Sequence, residues 1–386
     1  MANEDKATRY HRLRRRAAVA STVIGTVVLL VLVVTGLSAD LRDAVVAVVG
    51  HSWVLVTIGY VVAVVVINEV IELPLSFYQG VTLERRYELS VETTARWWLD
   101  RAKSLGVGIV LAALAALIVR GLLLWMPAHW WLAGAACFTL LIVVFAQLAP
   151  VLLMPIFYTF TPLDRPALVA RLVALAERAG TRVLGVFEWR LGDRTRKANA
   201  ALTGIGNTRR IIISDTLLAG HSDDEIEVIL AHELAHHVHH DIWSGIAVET
   251  ALITLGFYLA DRVLAALAGS FGLQGKADVA ALPLLALTAG AVSLAFMPVV
   301  NALSRAHERR ADRYALDMTG RADAFTSAMK RLASQNLAEE RPSRLVEVLF
   351  HSHPSTSARI AAAQAWVAGH AKTTSASPES VIDRVD

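Results

Sequence analysis

The chain has 386 residues, of which 55% are hydrophobic and 18% charged, with a formal net charge of +3 at pH 7. That apolar share, with a mean hydropathy of +0.49, excludes an ordinary soluble globule and places the chain in a membrane. Basic residues that fall in short clusters beside apolar runs exclude a nucleic-acid surface, and a single cysteine, Cys137, excludes an intramolecular disulfide and a thiolate metal site.

Residues 1–16 form a basic cytoplasmic N-terminus carrying Lys6, Arg9, Arg12, Arg14, Arg15 and Arg16. The apolar run Ala17 to Leu37 follows. It is long enough for one span of roughly 20 residues and longer than the roughly 7–15 apolar residues of a signal peptide, so it reads as an anchor. The second span, about Trp53 to Phe77, contains Asn68, Glu69 and Glu72. Carboxylates at that depth face a cavity or a partner, unless Glu72, near Pro74, ends the span at the interface. A basic loop at 80–103 precedes a third span from about Leu105 to Met126. A fourth runs from Trp130 to Phe157, with Trp125, Trp130 and Trp131 at the far interface, so residues 17–157 make four transmembrane helices.

Residues 158–241 read as a cytoplasmic region of mixed structure. A helix covers Pro166 to Ala179, Val183 to Trp189 is a strand, and Ala200 to Gly204 with Arg210 to Ser214 form a hairpin around Gly206-Asn207. Ser222 and Glu225 then have capping-box spacing at the head of a helix whose Ile226, Ile229, Leu230 and Leu234 form an apolar stripe. That helix carries His232-Glu233-Leu234-Ala235-His236. An H-E-x-x-H spacing puts two imidazoles one turn apart on one face, where both can reach one Zn²⁺, and places Glu233 beside the metal's open position to deprotonate a water. His237, His239 and His240 invite a second metal but read better as a polar helix end.

Two more spans occupy 242–303, the fifth over about Ile242 to Leu267, where Asp261 and Arg262 form an interface pair, and the sixth from Val279 to Leu303. Cytoplasmic helices follow over 304–370, and 371–386 reads as a disordered tail. A catalytic zinc takes a third protein ligand besides a His pair, and Glu308, four residues before Asp312, can supply it while Asp312 orients a histidine. The expected fold is mainly α: a polytopic membrane helical bundle with a small α+β zinc-metallopeptidase domain bearing the H-E-x-x-H helix.

These motifs together resemble the zinc metallopeptidase family that includes the CAAX prenyl protease 1 enzymes and the heat-shock protease HtpX. The matching residues are His232-Glu233-x-x-His236 with Asp241, Asn301-x-x-Ser304-Arg305-x-x-Glu308-x-x-x-Asp312, and Ser352-His353-Pro354 with Arg359. Leu73-Pro74-x-x-x-Tyr78 with Leu83-Glu84, and Pro155-Ile156-Phe157 with Phe160-Thr161-Pro162-Leu163, are closer to the prenyl-protease branch. The resemblance implies one Zn²⁺ per chain on His232, His236 and Glu308, with Glu233 as base. It also implies Asn199-Ala200 on a strand that holds the substrate backbone, and His353 and Arg359 at the transition state. The prenyl proteases usually carry an aromatic residue where this chain has Ala201. The implied substrate is a peptide or protein, prenylated or membrane-embedded. The expected setting is the plasma membrane, with both termini and the site on the cytoplasmic side, which the basic clusters mark. HtpX-like quality control of membrane proteins and a catalytically silent scaffold of the same fold are the competing readings. The segment from Ala200 should be a sheet edge open to an extended peptide, with Ala201 offering a donor to it.

Overall fold

The computed structural model describes residues 5–204 and 209–375. In chain order the helices are α1 (Lys6–Val34), α2 (Leu37–Val49), α3 (Trp53–Phe77), α4 (Glu84–Arg86), α5 (Thr94–Trp125), α6 (Trp130–Leu152), α7 (Met154–Phe157), α8 (Pro166–Arg178) and α9 (Asp215–Gly220). They continue with α10 (Asp223–Val238), α11 (Asp241–Leu267), α12 (Leu282–Thr319), α13 (Ala322–Gln335), α14 (Arg344–Phe350) and α15 (Thr356–Ser375). The strands are β1 (Phe160–Pro162), β2 (Val186–Trp189), β3 (Ala200–Thr203) and β4 (Arg210–Ser214). Two compact units result, one of Met1–Tyr158, Gly192–Arg196 and Ile242–Val300, the other of Thr159–Leu191, Lys197–Asp241 and Asn301–Asp386.

The first unit is helical and makes the chain an integral membrane protein. Among the described residues, five helices are long and apolar enough to cross a membrane, Lys6–Val34, Trp53–Arg86, Thr94–Trp125, Asp241–Leu267 and Val279–Thr319, with a shorter apolar helix at Trp130–Ala146. The sequence reading did not anticipate α2. Its 13 residues rise only about 20 Å, too little to span, and Gly36 and Gly50 flank it with φ of 81° and 75°, a left-handed backbone that glycine adopts without a Cβ clash.

The carboxylates of α3 and Asp261 of α11 meet partners. Glu69 takes a two-point contact from Arg101 at 2.6 and 2.7 Å, and Glu72 accepts from the Ser21 hydroxyl at 2.7 Å. Neither is among the residues lining the unit's apolar cavity of about 750 Å³, which include Tyr60, Val61, Ala116, Phe257 and Leu282. Of the alternatives left by the sequence, both carboxylates meet a partner, Glu69 through both oxygens and Glu72 through Oε2 alone, its Oε1 being buried without one. Asp261 does pair with Arg262, and it also accepts from Lys276 at 2.8 Å and from the fully buried Trp130 at 2.7 Å.

The second unit is built on a four-stranded sheet of order β1-β2-β4-β3. β2 runs parallel to β4, while β1 and β3 pair antiparallel with β2 and β4. The expected hairpin partners are found, Ala200 opposite Ile213 and Thr203 opposite Arg210; its turn at Gly206-Asn207 lies outside the described residues. Ile211 and Ile213 of β4 pack with Leu168 and Leu172 of α8, Ile226, Leu230 and Leu234 of α10, and Phe325 of α13 in one core. α15 continues to Ser375, so the tail expected from residue 371 is helical over 371–375; residues 376–386 lie outside the described residues.

His221 sits buried just before the capping box of α10. Burial holds its imidazole below the usual histidine pKa; the nearby Glu225 carboxylate raises it in part and the Arg331 guanidinium lowers it further. The unfolded chain therefore binds this proton more readily, and stability falls as pH drops below about 6.5. The unfolding temperature of detergent-solubilised wild type should decline between about pH 7 and pH 5.5 more steeply than that of His221→Leu. Equal slopes would assign the acid sensitivity to other groups.

Candidate metal centre and peptide-binding edge

The helix carrying H-E-x-x-H is set before its histidines are reached. Ser222 accepts from the Glu225 N–H and the Glu225 side chain accepts from the Ser222 N–H, a closed capping box, with Asp223 and Asp224 in the first turn. Glu225 is further fixed by Ser327 at 2.5 Å and Arg331 at 3.1 Å. Ile226, Leu230 and Leu234 bury one face, which leaves His232, Glu233 and His236 on the working side.

α12 supplies the facing groups. Glu308 Oε2 lies 3.3 Å from His232 Nε2, and Glu308 Oε1 lies 3.6 Å from His236 Nε2. One ligand atom from each of the three residues falls within 4.8 Å of the others. The opposite ring nitrogens are taken by carboxylates: His232 Nδ1 is 2.9 Å from Asp312, and His236 Nδ1 is 2.8 Å from Asp241. With both Nδ1–H groups donating to carboxylates, both Nε2 lone pairs point at the shared space, the arrangement a metal-ligating histidine needs.

The electrostatics agree. Burial opposes charge on His232, yet Asp312 and Glu308 outweigh it and push the imidazole up to about 9, a measure of how strongly negative the site is. Glu308 Oε2 is buried without a well-formed hydrogen bond, although His232 and His353 stand within ion-pair distance. An anionic cluster with an unsatisfied carboxylate oxygen and two aimed imidazoles fits a divalent cation with nitrogen and oxygen ligands. Burial raises the Glu233 carboxyl above its usual range, while His232 and His236 act the other way.

His353, in the loop between α14 and α15, brings Nδ1 to 2.9 Å from Glu308 although its side chain is 63% exposed. Arg359, on the first turn of α15, grips Asp312 with Nε at 2.8 Å and Nη2 at 2.5 Å, and stands 3.3 Å from His232 Nδ1. Its guanidinium is thus committed to the carboxylate behind His232. Asp241, in the sequence only a motif position, holds His236 and is itself bound by Arg310. His240, with φ of 56°, turns the chain at the end of α10 so that Asp241 comes back beside His236.

β3 is an edge strand, and one bond fixes which way its groups point. The Ser214 N–H donates to the Asn199 carbonyl at 2.9 Å, so Asn199 faces β4. Because alternate residues turn to opposite sides, Ala201 and Thr203 also face β4, while Ala200 and Leu202 present N–H and C=O on the free edge. The expectation that Ala201 offers an outward donor is corrected by this parity.

Two family models match the chain: Peptidase family M48 over residues 162–367, and the CAAX prenyl protease N-terminal region, five membrane helices, over residues 2–159. The uncharacterized metalloprotease YhfN of Bacillus subtilis is 32% identical over 338 residues, covering 86% of this chain and 78% of that protein. CAAX prenyl protease 1 of Saccharomyces cerevisiae is 27% identical over 324 residues, covering 77% and 69%. The crystal structure of S. mikatae Ste24p shares the fold, with a TM-score of 0.83 at 22% identity over 92% of this chain and 87% of that one.

Two substitutions separate ligand from orienter. Glu308→Ala should abolish stoichiometric metal binding, whereas Asp312→Ala should keep a site weakened by about 10–100-fold, read by competition with a chromogenic chelator. Equal affinities in wild type and Glu308→Ala would remove Glu308 from the centre.

Proposed function

The chain belongs to peptidase family M48, and from that premise we propose that it is an integral-membrane zinc endopeptidase with its site facing the cytoplasm. The observation that carries this reading is the convergence of His232 Nε2, His236 Nε2 and Glu308 on one point, with Glu233 adjacent in the same helix turn. Nitrogen and carboxylate ligands in a set of three, leaving a position open, suit catalytic zinc. Zinc, when bound, polarises the scissile carbonyl and makes a water acidic enough to lose its proton near neutral pH.

The chain's own groups do the rest. Glu233, its pKa raised by burial, takes the proton from the attacking water and returns it to the leaving amine. His353 donates a hydrogen bond to the carbonyl oxygen as it gains negative charge. Arg359 holds Asp312 against His232 and adds positive charge to the site, so its contribution to the transition state runs through that pair. The substrate backbone adds to the free edge of β3, where Ala200 offers both N–H and C=O and Asn199 precedes it. Backbone pairing tolerates varied side chains, which suits a peptidase.

For the substrate, the apolar cavity of the helical unit favours a peptide bearing a hydrocarbon chain, such as a prenylated C-terminus, over an unmodified unfolded protein. A purified sample given a farnesylated peptide, its unprenylated twin and a denatured membrane protein should cleave the first with the highest kcat/KM. Preference for the denatured protein would instead support a quality-control role, and no cleavage of any of them with metal bound would support the silent scaffold.

Glu233→Gln should keep metal and lose about 10²–10⁴-fold in kcat, because an amide neither accepts nor returns the proton. Near-normal turnover would exclude Glu233 as the base. Ala200→Pro should lower cleavage while leaving metal content and the unfolding temperature near wild type, since it deletes an outward donor; Ala201→Pro should lower stability by cutting the β3–β4 ladder. Full activity in Ala200→Pro would rule out edge docking.

A further inference from the structure

His353 poses a mechanical problem. It lies in an irregular segment, between the end of α14 at Phe350 and the start of α15 at Thr356, and its side chain is 63% exposed. Little packing surrounds the imidazole, yet Nδ1 is held 2.9 Å from Glu308. A group that must meet a developing charge needs its position set beforehand, within a fraction of an ångström.

The segment is held from α12. Arg305 is only 8% exposed, and its Nη1 donates to the Glu347 carbonyl at 2.9 Å and to the His351 carbonyl at 2.6 Å. One turn earlier, Asn301 Nδ2 donates to the Leu349 carbonyl at 2.8 Å. These carbonyls belong to the last turn of α14 and to the residue just beyond it; those of Leu349 and His351 are of the kind a helix end leaves short of partners, while Glu347 also accepts from the His351 N–H at 3.2 Å. A buried guanidinium demands acceptors for its N–H groups, and its planar geometry fixes where they sit.

We propose that Arg305, assisted by Asn301, is the positioning residue for His353. Arg305 and Glu308 are one turn apart on the same helix, so α12 carries the metal ligand and also the clamp on the loop whose histidine reaches that ligand. The distance between them is thereby set by one element and survives small movements of α14 and α15. Arg305 touches neither metal ligand nor substrate; its effect runs through the backbone of residues 347–351. The proposal rests on the reading of His353 as a transition-state donor.

The test is a cycle of Arg305→Lys, His353→Ala and the double variant, reading kcat, KM, metal content and unfolding temperature with a peptide substrate. Lysine keeps the charge and loses the fork. His353→Ala should lower kcat by roughly 10²–10³-fold. Arg305→Lys should lower kcat by roughly tenfold with KM and metal content unchanged, a loss in the range of coupled neighbours. The double variant should match His353→Ala, because a misplaced loop costs nothing once the imidazole is gone. If the Arg305→Lys loss persists in full on the His353→Ala background, or metal content falls with it, Arg305 acts elsewhere and the proposal is overturned while the role of His353 stands. If His353→Ala leaves kcat unchanged, the role of His353 fails and the proposal with it. Should Arg305→Lys not fold, Asn301→Ala, which deletes the Leu349 contact, takes its place in the same cycle with the same outcomes.

Discussion

Two carboxylates, Asp312 and Asp241, each hold one imidazole by its Nδ1, and the rest of the centre depends on that. Only with both Nδ1–H groups engaged do both Nε2 atoms become acceptors aimed at the same point. Helical spacing alone brings His232 and His236 to one face of α10 but leaves ring rotation and tautomer open. Asp312 arrives from α12 with Arg359 behind it, and Asp241 arrives from the turn after α10 with Arg310 behind it. Each carboxylate is buried and paired, so each is costly to misplace.

The same economy of pairing operates in the membrane-spanning helices. Glu69 with Arg101, Glu72 with Ser21, and Asp261 with Lys276, Arg262 and Trp130 place polar groups against one another, and none of these carboxylates lines the cavity, whose walls are mostly apolar with Glu249 and Ser293 among them. Arg120 similarly donates to the Trp53 carbonyl and the Thr57 hydroxyl at 3.0 and 2.8 Å. Polar residues in such segments are tolerated when they find partners, and here the helical unit supplies them internally.

Much of the site was legible in the sequence because its parts are local. The capping box, the H-E-x-x-H spacing and the Glu308/Asp312 pair each occupy one helix, and a period of 3.6 residues converts sequence distance directly into shared faces. The antiparallel pairing of Ala200 to Thr203 with Arg210 to Ser214 was readable for a related reason, since a run of isoleucines announces the buried strand. What escaped was short or long-range. β1 has three residues, one of them Pro162, and no periodicity of its own. α2 is hidden between two longer apolar runs. The hold of Asp241 on His236 depends on a left-handed residue at His240, and the partners of Arg305 are carbonyls more than 40 residues away, which no spacing rule reports. Facing direction on β3 also needed a hydrogen bond: one residue of parity decides whether Ala200 or Ala201 looks outward.

The shortness of the β3 edge bears on how this protein avoids sticking to itself. An open strand edge able to accept one peptide can accept another protein's edge just as well, and a long flat one seeds sheet-to-sheet aggregation. β3 has four residues, of which only two, Ala200 and Leu202, face outward. A guest chain therefore finds outward groups at only two residues. Such a short ladder holds little by itself and gains its strength when the scissile bond also reaches the metal centre, which favours brief engagement of substrates over persistent pairing between neighbouring copies.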